Sequence, residues 1–280
     1  MVLHYSHDRR VPLWVQQHLS KDILKGSSHR DGVQFHSDEE VEEQWRALNS
    51  DYKGSGWSKG HMAPAADNKA NINAMTESFL LSNIVPQNYS NNSNYWNRLE
   101  LYCRDVAHKY TNLWVTSGPA FLPTEVDGKN IMQYEVIGSN EVAVPTHLYK
   151  VLVTEDKQGA KAMAAFLVPN EPIVPDQPLK HFQVPLESLE KIVGFTFYDK
   201  LDRGSTSDLC EVDGCEIMTD LQLRQFVYVK RIKRQKTKDA LDKLWGKVKT
   251  KEFPITKEMQ AAYDTRLLEL PSAAAAAEGA

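Results

Sequence analysis

The chain has 280 residues, of which 41% are hydrophobic and 25% are charged, and its formal net charge at pH 7 is −4. This length and apolar content allow one large core, or one domain with a small appendage. The weakly negative balance excludes a chain that is basic throughout, so affinity for polyanions has to come from local patches. No run approaches the roughly 20 apolar residues that cross a bilayer, and the N-terminus has no signal-like apolar run.

Hydrophobic spacing predicts the elements in chain order. Residues 11–25 mix helical and strand signals and stay open. Apolar residues recur at helical spacing over residues 38–48, 72–82, 92–110, 185–193, 240–248 and 256–270. Strand-like runs cover residues 113–117, 131–137, 148–154, 162–168 and 195–198. Prolines between 169 and 178 mark a long loop. This order predicts an α+β fold, since strands and helices do not alternate regularly.

Cysteines are few, namely Cys103, Cys210 and Cys215. Cys210 and Cys215 flank a turn-like spacer and are close enough in sequence for a local bridge. No further Cys or His pair nearby completes a zinc site, so free thiols are favoured over metal ligation.

The C-terminal part is locally basic: residues 230–251 contain ten Lys or Arg and two Asp. Two helices with apolar faces overlap and follow this run, which predicts a helical hairpin as an appendage. Cations at this density would give salt-dependent, sequence-independent binding to phosphates. A solvated helical face or a nuclear-localisation-like run at residues 230–238 explains the same pattern. The last residues, 272–280, are mostly alanine and are expected to be a tail or linker scar.

The segment Trp57-Ser-Lys-Gly-His61-Met-Ala-Pro64 carries the first chemical signal. An imidazole has a near-neutral pKa and is able to take a proton from water at pH 7. Most histidines have no such role, so His61 alone is weak support for catalysis.

A second signal is the polar density of residues 82–100, which include six asparagines beside an apolar helix. Amide carbonyls suit a hard cation such as Mg²⁺, which keeps most of its waters and needs few protein ligands. Turn formation and helix capping account for most asparagines, so only one or two call for a chemical explanation.

These motifs together resemble those of the ββα-metal (His-Me finger) nucleases related to endonuclease G. The chain is most similar to the branch of mitochondrial exo/endonuclease G-like 5′–3′ exonucleases. The catalytic signature of the family corresponds to residues 58–64 and its Asn-rich motif to residues 81–100, with further matches at 117–119 and 144–150. The resemblance extends to about Leu270, and several motifs in the right order make it specific.

The resemblance implies a mixed sheet core holding a ββα-metal finger, with a C-terminal helical wing. The expected domains are a nuclease core over residues 1–230 and the wing over 236–271. It further implies double-stranded DNA, and RNA–DNA hybrids, as substrates, a homodimer, and a mitochondrial location. Association with the inner membrane through an N-terminal segment is left open, and the visible chain predicts no membrane contact.

The resemblance also assigns roles to residues. His61 would be the base that activates water, and Asn92 would hold one Mg²⁺, with Mn²⁺ as an alternative. Arg30 resembles the transition-state arginine of the family, although a solvated loop cation is an equally good explanation on sequence grounds. Lys59 and Lys69 are expected phosphate contacts, and Asn83 is expected to steady the catalytic loop.

Glu100 needs a separate argument because it follows Asn92 by eight residues. On a straight helix the two lie roughly 12 Å apart along the axis and about 80° apart around it. We therefore expect Glu100 to act from the outer shell, holding water bound to the metal.

Two positions depart from the usual signature. Ser58 replaces its acidic first residue, as in the exonuclease branch, and Lys59 replaces its arginine. Lysine keeps the charge but loses the planar fork that grips phosphate with two hydrogen bonds.

The predicted function is Mg²⁺-dependent hydrolysis of DNA, with 5′–3′ exonuclease and endonuclease activity, in mitochondrial DNA repair or degradation. The products would carry 5′-phosphate and 3′-hydroxyl ends. The alternatives are a broad DNA/RNA endonuclease like endonuclease G and, with less support, a noncatalytic DNA-binding protein.

Overall fold

A computed structural model describes residues 1–270 of the chain. Contacts divide it into two compact units, one covering Met1–Ile217 and one beginning at Met218. This division lies earlier in the chain than the expected boundary at residues 230–236. The expected tail at 272–280, and the last residue of the expected wing, lie outside the described residues.

The strands of the first unit are numbered in chain order. They are β1 (Val2–Ser6), β2 (Val11–Leu19), β3 (Ser58–His61), β4 (Ile84–Gln87), β5 (Asn112–Ala120), β6 (Thr124–Val126), β7 (Lys129–Ile131), β8 (Val136–Ile137), β9 (Val142–Ala143), β10 (His147–Glu155), β11 (Lys161–Pro169), β12 (Gln183–Val184) and β13 (Ser207–Asp208). Seven of them form one sheet in the order β1-β2-β5-β10-β11-β12, with β13 also paired to β11. Only the β11–β13 pair is parallel, so the sheet is mixed, as expected.

The helices are likewise numbered in chain order. They are α1 (Asn49–Tyr52), α2 (Ile72–Glu77), α3 (Tyr89–Asn91), α4 (Asn97–Lys109), α5 (Leu186–Val193), α6 (Leu209–Val212), α7 (Asp220–Lys233), α8 (Lys238–Lys249) and α9 (Lys257–Glu269). A π-helical turn, Asn92–Trp96, joins α3 to α4 without a break. The expected long helix at 92–110 is therefore present, with one irregular turn near its start. No helix among residues 1–270 combines the length and apolarity needed to cross a membrane.

Both faces of the sheet are covered, as the contacts of β10 show. Its successive side chains point to opposite faces. Leu148 and Leu152 belong to a core shared with α4, whereas Tyr149 and Val151 belong to a core shared with α5. Both sets are buried. Burial on both faces makes β5, β10 and β11 largely apolar, which explains why these three strands were visible in the sequence, whereas β2 with its Gln16-Gln17-His18 run was not.

The expected finger contains a small two-stranded sheet. Strands β3 and β4 pair antiparallel, with Ser58 opposite Gln87 and His61 opposite Ile84. The helical segment that begins at α3 follows β4 after one residue, Asn88, whose side chain caps it by accepting from the N–H groups of Ser90 and Asn91. Two strands and a helix in this order form the ββα unit.

The second unit is a three-helix arrangement rather than a hairpin. Helices α7, α8 and α9 share one apolar cluster, which includes Ile232, Leu241, Val248 and Met259. The rings of Trp245 and Tyr263 stack at 4.6 Å. The two predicted helices are confirmed, and α7 joins them because its apolar side completes their core.

Three predicted elements were wrong. Residues 38–48 contain only a 3-10 turn, Glu43–Trp45. The Arg46 side chain donates to the carbonyls of Glu39 and Val41, so these carbonyls are paired with a side chain and not within a helix. Residues 131–137 are split between β7 and β8, which pair with different partners.

Residues 195–198 do not form a strand. Gly194 ends α5 with a φ of 81°, and Tyr198 also has a positive φ, 48°, which an extended strand does not allow.

Cys210 and Cys215 are joined in a disulfide, so the preference for free thiols was wrong and the local bridge is formed. Cys103 is free and buried. The bridged turn is fastened to α4, since Tyr102 donates to Asp213 at 2.8 Å and Lys109 forms an ion pair with Asp213, also at 2.8 Å.

Candidate active site

His61 ends strand β3 and lies between two phenylalanine rings. Its ring centroid is 5.2 Å from that of Phe35 and 5.0 Å from that of Phe79. Burial, and then the positive charge of Arg30, lower the pKa of His61 from 6.5 to about 3. The imidazole is therefore neutral at neutral pH. Its Nε2 is buried and has no hydrogen-bond partner among the described residues.

The backbone after His61 is fixed by Asn83, which is fully buried. Asn83 Oδ1 accepts from the N–H of Ala63 at 2.9 Å, and its Nδ2 donates to the carbonyls of Ala63 at 2.9 Å and Ser78 at 2.7 Å. The carbonyl of Asn83 also accepts from the N–H of Met62 at 3.0 Å. These bonds satisfy backbone groups that neither a helix nor a sheet pairs, so they hold the turn that follows His61.

Asn92 lies against the strand that carries His61. Its Nδ2 donates to the hydroxyl of Ser58 at 2.9 Å and to the carbonyl of Lys59 at 3.4 Å. Since the amide nitrogen faces β3, the carbonyl Oδ1 is directed away from that strand. The close approach of β3 and β4 requires Gly60, because a Cβ there would lie 2.1 Å from Gln87 Oε1.

The π-helical turn changes the relation between Asn92 and Glu100. A π turn takes one more residue than an α turn, which winds the following helix back by about 100° and reduces the offset of Glu100 from about 80° to about 20°. The two side chains thus share one face of the helix, closer in angle than the straight-helix estimate allowed.

Glu100 is half-buried, and burial raises its pKa to about 7. The positive charges of Arg104, Lys150 and Arg30 act in the opposite direction, and the charge of Asp67 adds to the rise. Arg104 and Asp67 form an ion pair at 2.7 Å beside it. Arg30 therefore lies near enough to affect both His61 and Glu100 electrostatically, although the two are far apart in sequence.

Arg30 and Lys59 are both placed against aromatic rings. The Arg30 guanidinium is exposed and lies 5.3 Å from the centroid of Phe79. Lys59 Nζ lies 5.2 Å from the centroid of Phe35 and 5.4 Å from that of Tyr52, and burial lowers its pKa. Neither cation forms an ion pair with a carboxylate of the described residues, so both keep their charge available at the site.

Lys69 meets the Arg30 loop through its backbone. Its carbonyl accepts from the N–H of Ser28 at 3.2 Å. A Cβ on Gly26, whose φ is 149°, would lie 2.0 Å from the same oxygen. The half-buried Lys69 thus contacts the segment that leads to Arg30, a backbone contact that its sequence position did not reveal.

The chain is similar to a family model, to named relatives and to a solved structure. A family model described as DNA/RNA non-specific endonuclease matches residues 1–204. Mitochondrial nuclease EXOG of Xenopus laevis is 44% identical over 251 residues, covering 88% of this chain and 70% of the relative. Mitochondrial endonuclease G of Bos taurus is 44% identical over 197 residues, covering 70% of this chain and 66% of the relative.

A solved structure, that of the EndoG/EndoGI complex, has a TM-score of 0.71 and 39% identity, covering 73% of this chain and 86% of that chain. The chain belongs to the DNA/RNA non-specific endonuclease family. The expected ββα-metal nuclease fold is confirmed, and the chain is a metal-dependent nuclease, hence a hydrolase. Both relatives are named mitochondrial, which confirms the location that the resemblance implied.

Several residues around the candidate site were not found by the sequence analysis. Phe35 and Phe79 enclose His61, and Arg104 with Asp67 lies beside Glu100. Arg104 follows Glu100 by four residues, a spacing that pairs side chains on a helix and was a usable signal. The buried Lys150 gave no such signal; its Nζ donates to Ser117 at 2.6 Å and lies 4.6 Å from the Trp96 ring.

The low pKa of His61 predicts how the free nuclease titrates. The ring should stay neutral from pH 8 to pH 5, because burial and the charge of Arg30 both oppose protonation. Arg30→Gln removes the second cause and should raise the pKa, whereas Arg30→Lys keeps the charge and should not. NMR of the ring protons, assigned with His61→Gln, measures this. A midpoint near 6.5 in the unmodified protein would contradict it.

Removal of the Asn83 side chain should destabilise the nuclease. Asn83→Ala leaves three buried backbone groups without partners, which should lower the free energy of unfolding by about 3 kcal/mol. Asn71→Ala is the matched control, since it removes an exposed helix cap worth about 1 kcal/mol. Urea denaturation measures both. Equal losses would show that the Asn83 bonds do not hold the loop.

Proposed function

We propose that this nuclease hydrolyses double-stranded DNA in a Mg²⁺-dependent reaction, as a 5′–3′ exonuclease that also cuts internally. RNA–DNA hybrids are a second substrate, and Mn²⁺ substitutes for Mg²⁺. The proposed role is repair or degradation of mitochondrial DNA. The observation that carries the proposal is the contact of the Asn92 amide with strand β3, whose last residue is the neutral His61.

The side chains present fit a hard, hydrated cation. Asn92 offers one amide oxygen, and Glu100 offers a carboxylate on the same helix face. No group of three or more His, Cys, Asp or Glu converges as a metal site among residues 1–270. A single amide ligand suits Mg²⁺, which retains several waters and is commonly completed by substrate phosphate. We therefore infer that Asn92 holds the ion and that Glu100 orients water around it.

The reaction requires a base and compensation of negative charge. A bound Mg²⁺ would stabilise charge on the scissile phosphate and on the departing 3′ oxygen. His61 takes a proton from water, whose oxygen forms a bond to phosphorus while the bond from phosphorus to the 3′ oxygen breaks. The 3′ oxygen leaves as a hydroxyl after taking up a proton, and the phosphate stays on the 5′ side. Arg30 would face the charge that develops on the phosphoryl oxygens.

Substrate binding would also raise the pKa of His61. A pKa of about 3 leaves His61 neutral but a weak proton acceptor. A phosphate at the site would pair with Arg30 and add negative charge near the ring, and both effects raise the pKa of His61 toward the neutral range. Lys59 and Lys69 are proposed as further phosphate contacts, with Lys59 acting as a point charge.

Two substitutions test the catalytic assignment. His61→Ala should lower cleavage of supercoiled plasmid in Mg²⁺ by about a thousandfold, since general-base catalysis contributes on this order. Asn92→Ala should instead raise the Mg²⁺ concentration needed for half-maximal rate. His181→Ala, an exposed histidine, is the control and should cut normally. Binding of DNA without cleavage by the unmodified chain would favour the noncatalytic alternative, and equal cleavage of RNA would favour the broad endonuclease.

The second unit is proposed to set the polarity of cutting. Its helices carry most of the cations of residues 230–251, which suit nonspecific phosphate binding. Because α7 shares a core with α8 and α9, the deletion that tests this should begin at Met218 rather than inside the unit. We expect the shortened chain to yield more internal cuts and fewer short 5′ fragments on an end-labelled duplex. An unchanged product ladder would rule this role out.

A homodimer is proposed as the working assembly. The part of the chain around β6 to β8 exposes several apolar side chains, which a second copy would cover. They are Val126, Ile131, Met132, Tyr134 and Val136. Sedimentation of a monomer at micromolar concentration would contradict this.

A further inference from the structure

Ser58 makes a pair of hydrogen bonds that connects the finger strands to the proposed metal ligand. Its hydroxyl donates to the carbonyl of Gln87 at 2.7 Å and accepts from Asn92 Nδ2 at 2.9 Å. Ser58 and Gln87 are directly opposite each other in the β3–β4 pair, so the hydroxyl lies between two paired strands. The residue is only half-buried, yet both of these contacts are directed inward.

The directions of these bonds determine how the Asn92 amide is turned. A hydroxyl has one proton, and Ser58 gives it to Gln87, which leaves only lone pairs facing Asn92. The second neighbour of the amide is the Lys59 carbonyl, which also only accepts. An amide turned by 180° would set its own oxygen against the Lys59 carbonyl, a repulsive contact, and it would bond to Ser58 only by taking the hydroxyl proton from the Gln87 carbonyl. The amide oxygen of Asn92 therefore faces away from β3 in the favoured orientation.

We propose that Ser58 is a positioning residue, whose hydroxyl holds the Asn92 amide oxygen toward the divalent cation. This rests on the proposed function, in which Asn92 binds that cation. Ser58 itself does not touch the ion or the substrate. The usual acidic residue of the signature would lack the proton that Gln87 accepts, so the arrangement depends on a hydroxyl in this chain.

The chain offers a matched set of variants. Ser58→Ala removes the hydroxyl, and Ser58→Cys keeps a similar shape with a weak donor and acceptor. Ser58→Thr keeps the hydroxyl. Ser55→Ala is the control, because the Ser55 hydroxyl also donates to a backbone carbonyl, that of Tyr52 at 2.9 Å, but does not contact Asn92. Asn92→Ala tests the metal site itself.

Metal binding is measured directly, by titrating Mn²⁺ against the full chain and following the EPR signal of the free ion. The titration is repeated with a phosphorothioate duplex that resists cleavage. We expect Ser58→Ala and Ser58→Cys to weaken Mn²⁺ binding roughly fivefold, as the loss of one orienting hydrogen bond allows. Ser58→Thr and Ser55→Ala should bind Mn²⁺ as the unmodified chain does. In cleavage assays, the half-saturating Mg²⁺ concentration should rise with the KM for DNA unchanged.

The outcomes separate the two claims. If Asn92→Ala loses Mn²⁺ binding while Ser58→Ala and Ser58→Cys keep it, Ser58 has no positioning role and the proposed function stands. If Asn92→Ala binds Mn²⁺ normally, the metal assignment fails and this inference fails with it. Should Ser58→Ala not fold, Ser58→Cys decides, and normal binding by that variant overturns the proposal.

Discussion

The short antiparallel pairing of β3 with β4 is the constraint on which the rest of the site depends. It sets His61 opposite Ile84 and Ser58 opposite Gln87, and it requires a glycine between them, where a side chain would overlap Gln87. A residue with a Cβ at position 60 would push the strands apart. His61, the loop after it and the start of the helical segment that begins at α3 would then no longer be held at fixed positions relative to one another.

Buried side-chain amides connect the β3–β4 pair to the larger sheet. Gln87 donates to Asn91, which in turn donates to the carbonyls of Pro169, the last residue of β11, and Glu171 in the loop after it. Asn170 donates to the carbonyls of Pro86 and Pro145 and accepts from the N–H of Asn88. These side chains satisfy loop backbone groups that no ladder reaches, so the finger is fastened to the core by side-chain hydrogen bonds as well as by apolar packing.

The cations around α4 and His61 fall into two groups, those with a partner that compensates their charge and those without a carboxylate partner. Arg104 is neutralised by Asp67, and the fully buried Lys150 is stabilised by Ser117 and the face of Trp96. Arg30 and Lys59 have no carboxylate partner among the described residues and lie against rings near His61. A site with two such cations beside a neutral imidazole favours an anionic ligand, although the chain as a whole is slightly acidic.

The sequence by itself determined the elements with long, uniform apolar patterns. The central strands β5, β10 and β11, the helix that includes α4, and helices α8 and α9 follow from periodicity, because burial of one face or both is encoded directly in residue order. The signature residues His61, Asn83 and Asn92 could also be named, since several motifs in order identified the family.

Only the tertiary structure decided which groups meet. The π turn that brings Glu100 onto the face of Asn92, the rings that enclose His61, and the hydroxyl that orients the Asn92 amide all depend on contacts between segments far apart in sequence. The hydrophobic pattern also gave wrong elements at two places. Near Arg46 a side chain, and not a helical N–H, bonds to the backbone carbonyls, and at Tyr198 a positive φ ends the extended conformation that was predicted. Periodicity records which face is buried, whereas the direction of a hydrogen bond depends on the partner that folding supplies.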